Sequence, residues 1–369
     1  MRHKLSDAQV RRLRLRSQAL AGPRPTDVAA VVRQVGALQA QATPAARLAV
    51  RPRSSGPDAG AVTRACNEDR SVVRTWAMRG TLHMVPAEDV RWLVALLGPD
   101  FTARNRRRRE QLGLDDDTCA RGLRAIEEVL GAAGPLPRDE IVRRISDLGV
   151  DVDPKSQALP HLLGYAAMQG LICRGPDLPD DEPTYVLLDD WLGSARDMDG
   201  DAALAELARR YVRGHGPAGP RDLAAWAGIT LGRAREAVEL IIAELVEVEA
   251  RGEPAWLLAD ADVAELGDRE RSVRLLPNFD AYLLGYRSRD DVLAAEFARR
   301  IQAGGGMIRA AVLVDGRVAG TWRQRRRASE LEITVEPFER LPRSVRTALD
   351  EEIADIGRFL GTPVTSTSG

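Results

Sequence analysis

The sequence predicts an α+β protein built from three tandem winged-helix units followed by a small C-terminal β-barrel with a terminal helix. Three observations lead there. A turn-and-helix-start motif occurs three times, as Gly22-Pro23-Arg24-Pro25-Thr26-Asp27, Gly134-Pro135-Leu136-Pro137-Arg138-Asp139 and Gly216-Pro217-Ala218-Gly219-Pro220-Arg221-Asp222. Each copy is surrounded by helical periodicity and followed by two short apolar runs that read as a β-hairpin. Beyond residue 270 the rhythm changes to a series of strand-like runs. In each motif Gly-Pro ends one helix and a second Pro stands near the next helix start, where its missing N–H costs little. The Asp that follows favours the positive helix end.

The first unit, 1–85, opens with a helix over 6–20 and continues with a short helix starting at Asp27. It closes with strands over 71–78 and 81–85 that turn at Arg79-Gly80. A helical insert, 86–112, carries the run Arg104-Asn105-Arg106-Arg107-Arg108-Arg109. The second unit, 113–192, reads as helices at 117–131, 138–147 and 156–169, then strands at 171–174 and 184–188. The third, 200–260, repeats this with helices at 201–213, 221–227 and 230–244 and strands at 245–249 and 255–258. In the remainder, 270–369, strands are expected at 274–276, 282–284, 308–314, 317–322 and 331–335, and a final helix at 342–360. Val314-Asp315-Gly316-Arg317 is a two-residue hairpin signal.

Composition bounds the function. With 369 residues, 44% of them hydrophobic, the chain can bury several cores. No apolar run approaches the ~18 residues that a membrane span needs. The basic N-terminus is followed by Arg11-Arg12-Leu13-Arg14-Leu15-Arg16 in place of an apolar segment, so no secretory signal is expected and the cytosol is the expected compartment. Cys66, Cys119 and Cys173 are widely spaced and odd in number, which argues against a disulfide framework or a zinc ribbon and for buried apolar residues. The net charge of −1 hides an asymmetry: residues 1–109 carry 21 Lys+Arg against 8 Asp+Glu, whereas 110–369 carry 32 against 46. Concentrated positive charge is the footprint of a phosphate-binding face. The arginine run is its sharpest point, the alternative being a solvated helix face. All but two of the basic residues are arginines, which reflects base composition more than guanidinium chemistry.

Little else signals a reaction. His3, His83, His161 and His215 are isolated from one another and from cysteine, so no metal site is expected. No nucleophile elbow, phosphate loop or dinucleotide fingerprint occurs, and Gly304-Gly305-Gly306 reads as a flexible connection. One short segment stands apart: Leu38-Gln39-Ala40-Gln41, at the end of the first unit's short helix. Two glutamines at i and i+2 diverge on a regular helix and converge only where it ends or bends, as Thr43-Pro44 suggests it does. By themselves they also fit ordinary surface polarity.

The surrounding residues resolve this through resemblance. Leu38-Gln39-Ala40-Gln41, the segment 74–83 (RTWAMRGTLH), Leu188-Asp189-Asp190-Trp191, the segment 276–287 (LPNFDAYLLGYR) and the segment 313–322 (LVDGRVAGTW) resemble the bacterial AlkZ-like DNA glycosylases over nearly the whole chain. The resemblance implies three tandem winged helices and a C-terminal barrel, in agreement with the repeat. It implies a monofunctional, metal-independent glycosylase that excises N7-alkylated purines and can unhook interstrand crosslinks, without a cofactor. Gln39 and Gln41 match that family's catalytic Gln-x-Gln element, the form tied to self-resistance against alkylating natural products. The expected partner is double-stranded DNA carrying alkylated purines, bound by a monomer. Arg79, at the first hairpin tip, and Arg104, Arg106, Arg107, Arg108 and Arg109 are the expected DNA contacts. The family probes the duplex with a β-hairpin that the sequence does not single out. The competing reading is a winged-helix DNA-binding protein without catalysis, either a regulator or one that sequesters lesions.

Overall fold

The structure, a computed structural model, describes residues 3–153, 155–193, 198, 200–261, 271–327 and 329–368. The expected start of the C-terminal part, residue 270, lies outside them. The chain forms two compact units, one comprising 1–62, 205–226 and 230–369, the other 63–204 and 227–229. This grouping is not serial along the chain, and the segment expected as the first unit is divided after Val62.

In the larger unit, Ser6 starts the helix Asp7–Ser17 through a capping box with Gln9. The strand His3–Leu5 before it runs parallel to Leu245–Ala250, pairing His3 with Val248 and Leu5 with Ala250. Leu245–Ala250 also forms an antiparallel hairpin with Glu253–Leu258, giving a three-stranded sheet. Sequence reasoning missed this first strand because three polar-flanked residues carry no local signal. The helices Pro220–Ala227 and Leu231–Leu240 precede that hairpin in the expected order.

The C-terminal strands form an open five-stranded sheet in the order Val273–Leu276, Ala311–Val314, Arg317–Arg326, Leu331–Pro337, Val364–Ser368. It is a half-barrel sheet, where the sequence suggested a small β-barrel or a sheet closed by the final helix. Its first four strands are antiparallel and the last is parallel to its neighbour, reached through the helix Arg343–Leu360. The hairpin at Asp315-Gly316 forms as expected, both residues having positive φ (49° and 79°). Two strand expectations are corrected. Residues 282–284 belong to a helical turn, Ala281–Leu284, because Asp280 accepts the Tyr282 N–H at 2.9 Å and caps it. The strand expected from Ile308 starts at Ala311, since the Ala310 N–H is taken by the Asn278 side chain at 2.7 Å.

The smaller unit holds the antiparallel hairpin Val72–Trp76 with Leu82–Pro86, then the helices Val90–Arg104 and Arg106–Gln111. The helices Asp116–Ala133, Arg138–Asp147 and Ala158–Met168 follow, and the hairpin Ile172–Leu178 with Glu182–Leu187 closes the order. Ile126, Leu130, Ile141, Ile145, Leu159, Leu162 and Leu163 share one buried core there. Val90–Arg104 packs directly on Ala158–Met168 at Gly98, where a β-carbon would collide with the Met168 carbonyl. The three cysteines are free and buried, as expected. No helix among the described residues is long and apolar enough to cross a membrane.

Candidate functional site

The glutamine pair is positioned by what flanks it. Asp27 caps the helix Val28–Val35 by accepting the Ala30 N–H at 2.7 Å, and Val28, Val31, Val32 and Val35 are buried. Gly36 ends that helix at φ 84°, a conformation that a side chain would strain. The chain then runs extended through Leu38–Gln39, and the next helix, Thr43–Val50, starts with Pro44 in its first turn. Gln39 and Gln41 therefore lie in the link between two helices, past the end of the one expected to carry them. In an extended link side chains alternate. Leu38 and Ala40 are buried, Gln39 is half-buried and Gln41 is exposed, so both amides stand on one side. Gln39 Nε2 donates to Gln41 Oε1 at 2.6 Å.

Beyond Val50 the chain is anchored by two buried arginines. Arg51 donates to Glu352 and Asp355, each at 2.8 Å, and to the Leu275 carbonyl. Arg53 makes a two-pronged bond to Asp280 at 2.6 and 2.8 Å and also donates to Gln18 and the Ala49 carbonyl. Neither residue was singled out from the sequence, since nothing local separates them from the other arginines.

In the smaller unit, Arg79 occupies the expected hairpin tip, half-buried, with φ 56°. The arginine run breaks into different environments. Arg107 and Arg108 are exposed. Arg104 donates to the Gly228 carbonyl at 2.6 Å and lies over Phe101, while Arg106 pairs with Glu110 and Asp116. Arg109, expected among the DNA contacts, is 6% exposed, donates to the Thr102 carbonyl at 2.6 Å and lies over Tyr165. The helix Arg106–Gln111 presents only part of its circumference to solvent, and position 109 is on the other part. His83 is buried, its Nδ1–H donating to the Thr81 carbonyl at 2.8 Å. Burial first, then the neighbouring Arg79 charge, pushes its pKa down to about 3, so the ring is neutral.

A second basic cluster was missed. Arg323, Gln324, Arg325, Arg326 and Arg327, at the end of the strand Arg317–Arg326, are all exposed. The signal was present as consecutive charges, but those charges ended the expected strand at Trp322. The strand continues because both faces of its far half meet solvent while its backbone pairs with Leu331–Pro337. Among the described residues no group of three or more His, Cys, Asp or Glu is arranged to hold a metal ion.

A family model described as DNA glycosylase AlkZ-like matches residues 32–359 of the chain. An interstrand DNA cross-link repair glycosylase of Streptomyces sahachiroi is 29% identical over 377 residues, covering 97% of each chain. The solved structure of a Streptomyces sahachiroi DNA glycosylase, AlkZ, is similar with a TM-score of 0.79 and 27% identity, covering 99% of this chain and 100% of that one.

Proposed function

As the chain belongs to the AlkZ-like DNA glycosylase family, we propose that it is a monofunctional, metal-independent enzyme. It hydrolyses the N-glycosidic bond of N7-alkylated purines in duplex DNA, crosslinked purines included, with Gln39 and Gln41 as its catalytic residues. The observation that carries this reading is the amide pair itself, Gln39 Nε2 to Gln41 Oε1 at 2.6 Å, on a link fixed at both ends by helices. The cross-link activity named for the Streptomyces relative supports the substrate class. The repeated order of helices and hairpin supports reading 113–192 and 200–260 as winged helices, with 1–85 as the first of three.

An N7-alkylguanine carries a positive charge, so its bond to C1′ breaks without a general acid: the bonding electrons pass to the ring and the base leaves neutral. What the protein must supply is a positioned water and a partial negative charge near the cationic sugar. Amide oxygens accept hydrogen bonds and do both. The direct amide contact opens to admit the water, whose oxygen joins C1′ and whose proton passes to solvent. Neither amide is a strong base, so positioning carries the rate. Arg79, Arg107 and Arg108 in one unit and Arg325 and Arg326 in the other contact DNA phosphates. Arg104 and Arg106 join them by exchanging their present partners. The protein acts as a monomer.

The test is single-turnover incubation, with EDTA, on a duplex carrying one N7-methylguanine, then alkali cleavage of the abasic site, with a crosslinked duplex in parallel. Cleavage at the lesion that disappears in Gln39→Ala is expected. Binding without cleavage by the unaltered protein on both substrates overturns the reading.

A further inference from the structure

The smaller unit contains a pocket of which the glycosylase reading uses only Arg79, as a DNA contact. It has a volume of about 340 Å³, and Trp76, Phe101 and Tyr165 form aromatic walls around Arg79, Arg109 and His161. It is built by close packing: Trp76 lies against the bare backbone of Gly164, where a β-carbon would stand 3.3 Å from the indole nitrogen. Pockets near the lower end of the ~300–1,000 Å³ range take small molecules or single nucleotide units, not a duplex.

Arg109 is the informative group. The residue is 6% exposed, yet its partners are the Thr102 carbonyl, the Cys119 sulfur and the face of Tyr165, and no carboxylate among the described residues pairs with it. A buried charge is ordinarily paired, because taking it out of water costs several kcal/mol. Arg108 and Arg109 add to one positive field at His161, whose pKa is lowered by partial burial and then by both of them. That field repels a cationic alkylated base and favours an anion. A guanidinium recognises phosphate with two parallel bonds, and aromatic walls suit a flat ring.

We propose that this pocket binds a nucleotide unit, its phosphate on Arg109 and its base against the aromatic walls. The same chemistry is offered by a free nucleoside monophosphate and by a nucleotide of a DNA strand. The site is separate from the glutamine pair and stands whether or not the protein cleaves glycosidic bonds.

The test is calorimetric titration of the full chain with 2′-deoxyguanosine 5′-monophosphate, with deoxyguanosine and with a short single-stranded oligothymidylate. The monophosphate is expected to bind about tenfold or more tighter than the nucleoside, and Arg109→Gln to remove that difference. His161→Ala and Tyr165→Leu are expected to weaken the monophosphate, and they carry the test if Arg109→Gln fails to fold. Displacement of the nucleotide by the oligonucleotide identifies a DNA strand as the source, and no displacement identifies a free nucleotide. Equal binding of nucleotide and nucleoside, or monophosphate affinity unchanged in the folded variants, overturns the proposal. Gln39→Ala is expected to keep nucleotide affinity unchanged, which separates this pocket from the catalytic reading.

Discussion

Arg53 and Asp280, 227 positions apart, are joined by two hydrogen bonds at 2.6 and 2.8 Å with neither side chain exposed to solvent. Arg53 follows the helix that begins just after the glutamine pair, and Asp280 lies in the 276–287 segment that carries the family resemblance. One end of the Gln39–Gln41 link is thus held through a fully buried ion pair. Removing either partner leaves an uncompensated charge, whereas removing both does not. Asp280→Ala is expected to destabilise by about 3–5 kcal/mol, and Arg53→Met with Asp280→Leu to recover most of the loss. Denaturant melts of the unaltered protein and these two variants check this, and a double variant no more stable than Asp280→Ala would overturn it.

Gln39→Ala and Gln41→Ala are each expected to slow release of N7-methylguanine by at least about 100-fold, because misplacing a reacting water costs that much. DNA affinity is expected to stay within a few-fold, since phosphate contacts dominate it. Gel-shift affinities measured beside single-turnover rates separate the two effects.

The arginine run divides by exposure. With Arg107 and Arg108 on the surface, replacing both with alanine is expected to flatten the slope of log K against log salt by about 1.8. Arg109→Gln is expected to flatten it less than the exposed pair does, because the residue is buried and reachable only through its pocket. Replacing Arg325 and Arg326 is expected to flatten it as the exposed pair does. Affinities across a salt series check all three.

His83 ties stability to pH. Its pKa is about 3 in the folded chain against an ordinary value near 6.5, so between these limits the unfolded chain binds the extra proton. Stability from this residue is complete above pH ~6.5 and falls as the pH drops, by up to about 1.4 kcal/mol per unit. His83→Gln is expected to lose less stability than the unaltered protein between pH 6.5 and 4.5, as thermal melts at the two pH values will show. Parallel losses would place the acid sensitivity in other groups.

Local signals were legible wherever the physics is local. The Asp27 cap, the Asp315-Gly316 turn and the order of most helices and hairpins each depend on residues within a few positions of one another. The glutamine pair was legible as a motif and its geometry only in part: a helix was expected to end or bend there, and it ends at Val35, ahead of the pair, so that an extended link supplies the shared face.

The sequence by itself determined the order of most helices and hairpins, the charge asymmetry, the family resemblance and the two glutamines. Tertiary structure decided which arginines are anchors, which are surface charges and which is a buried cation in an aromatic pocket. With 53 basic residues nearly all of one kind, Arg53, Arg107 and Arg109 look alike in sequence. What separates them is whether a carboxylate, solvent or a tyrosine ring faces each one. That is set by contacts with residues far along the chain, as is the pairing of His3–Leu5 with Leu245–Ala250. Helix periods and caps are fixed by neighbours in sequence, whereas the partner of a charge is fixed by the path the chain takes to bring it there.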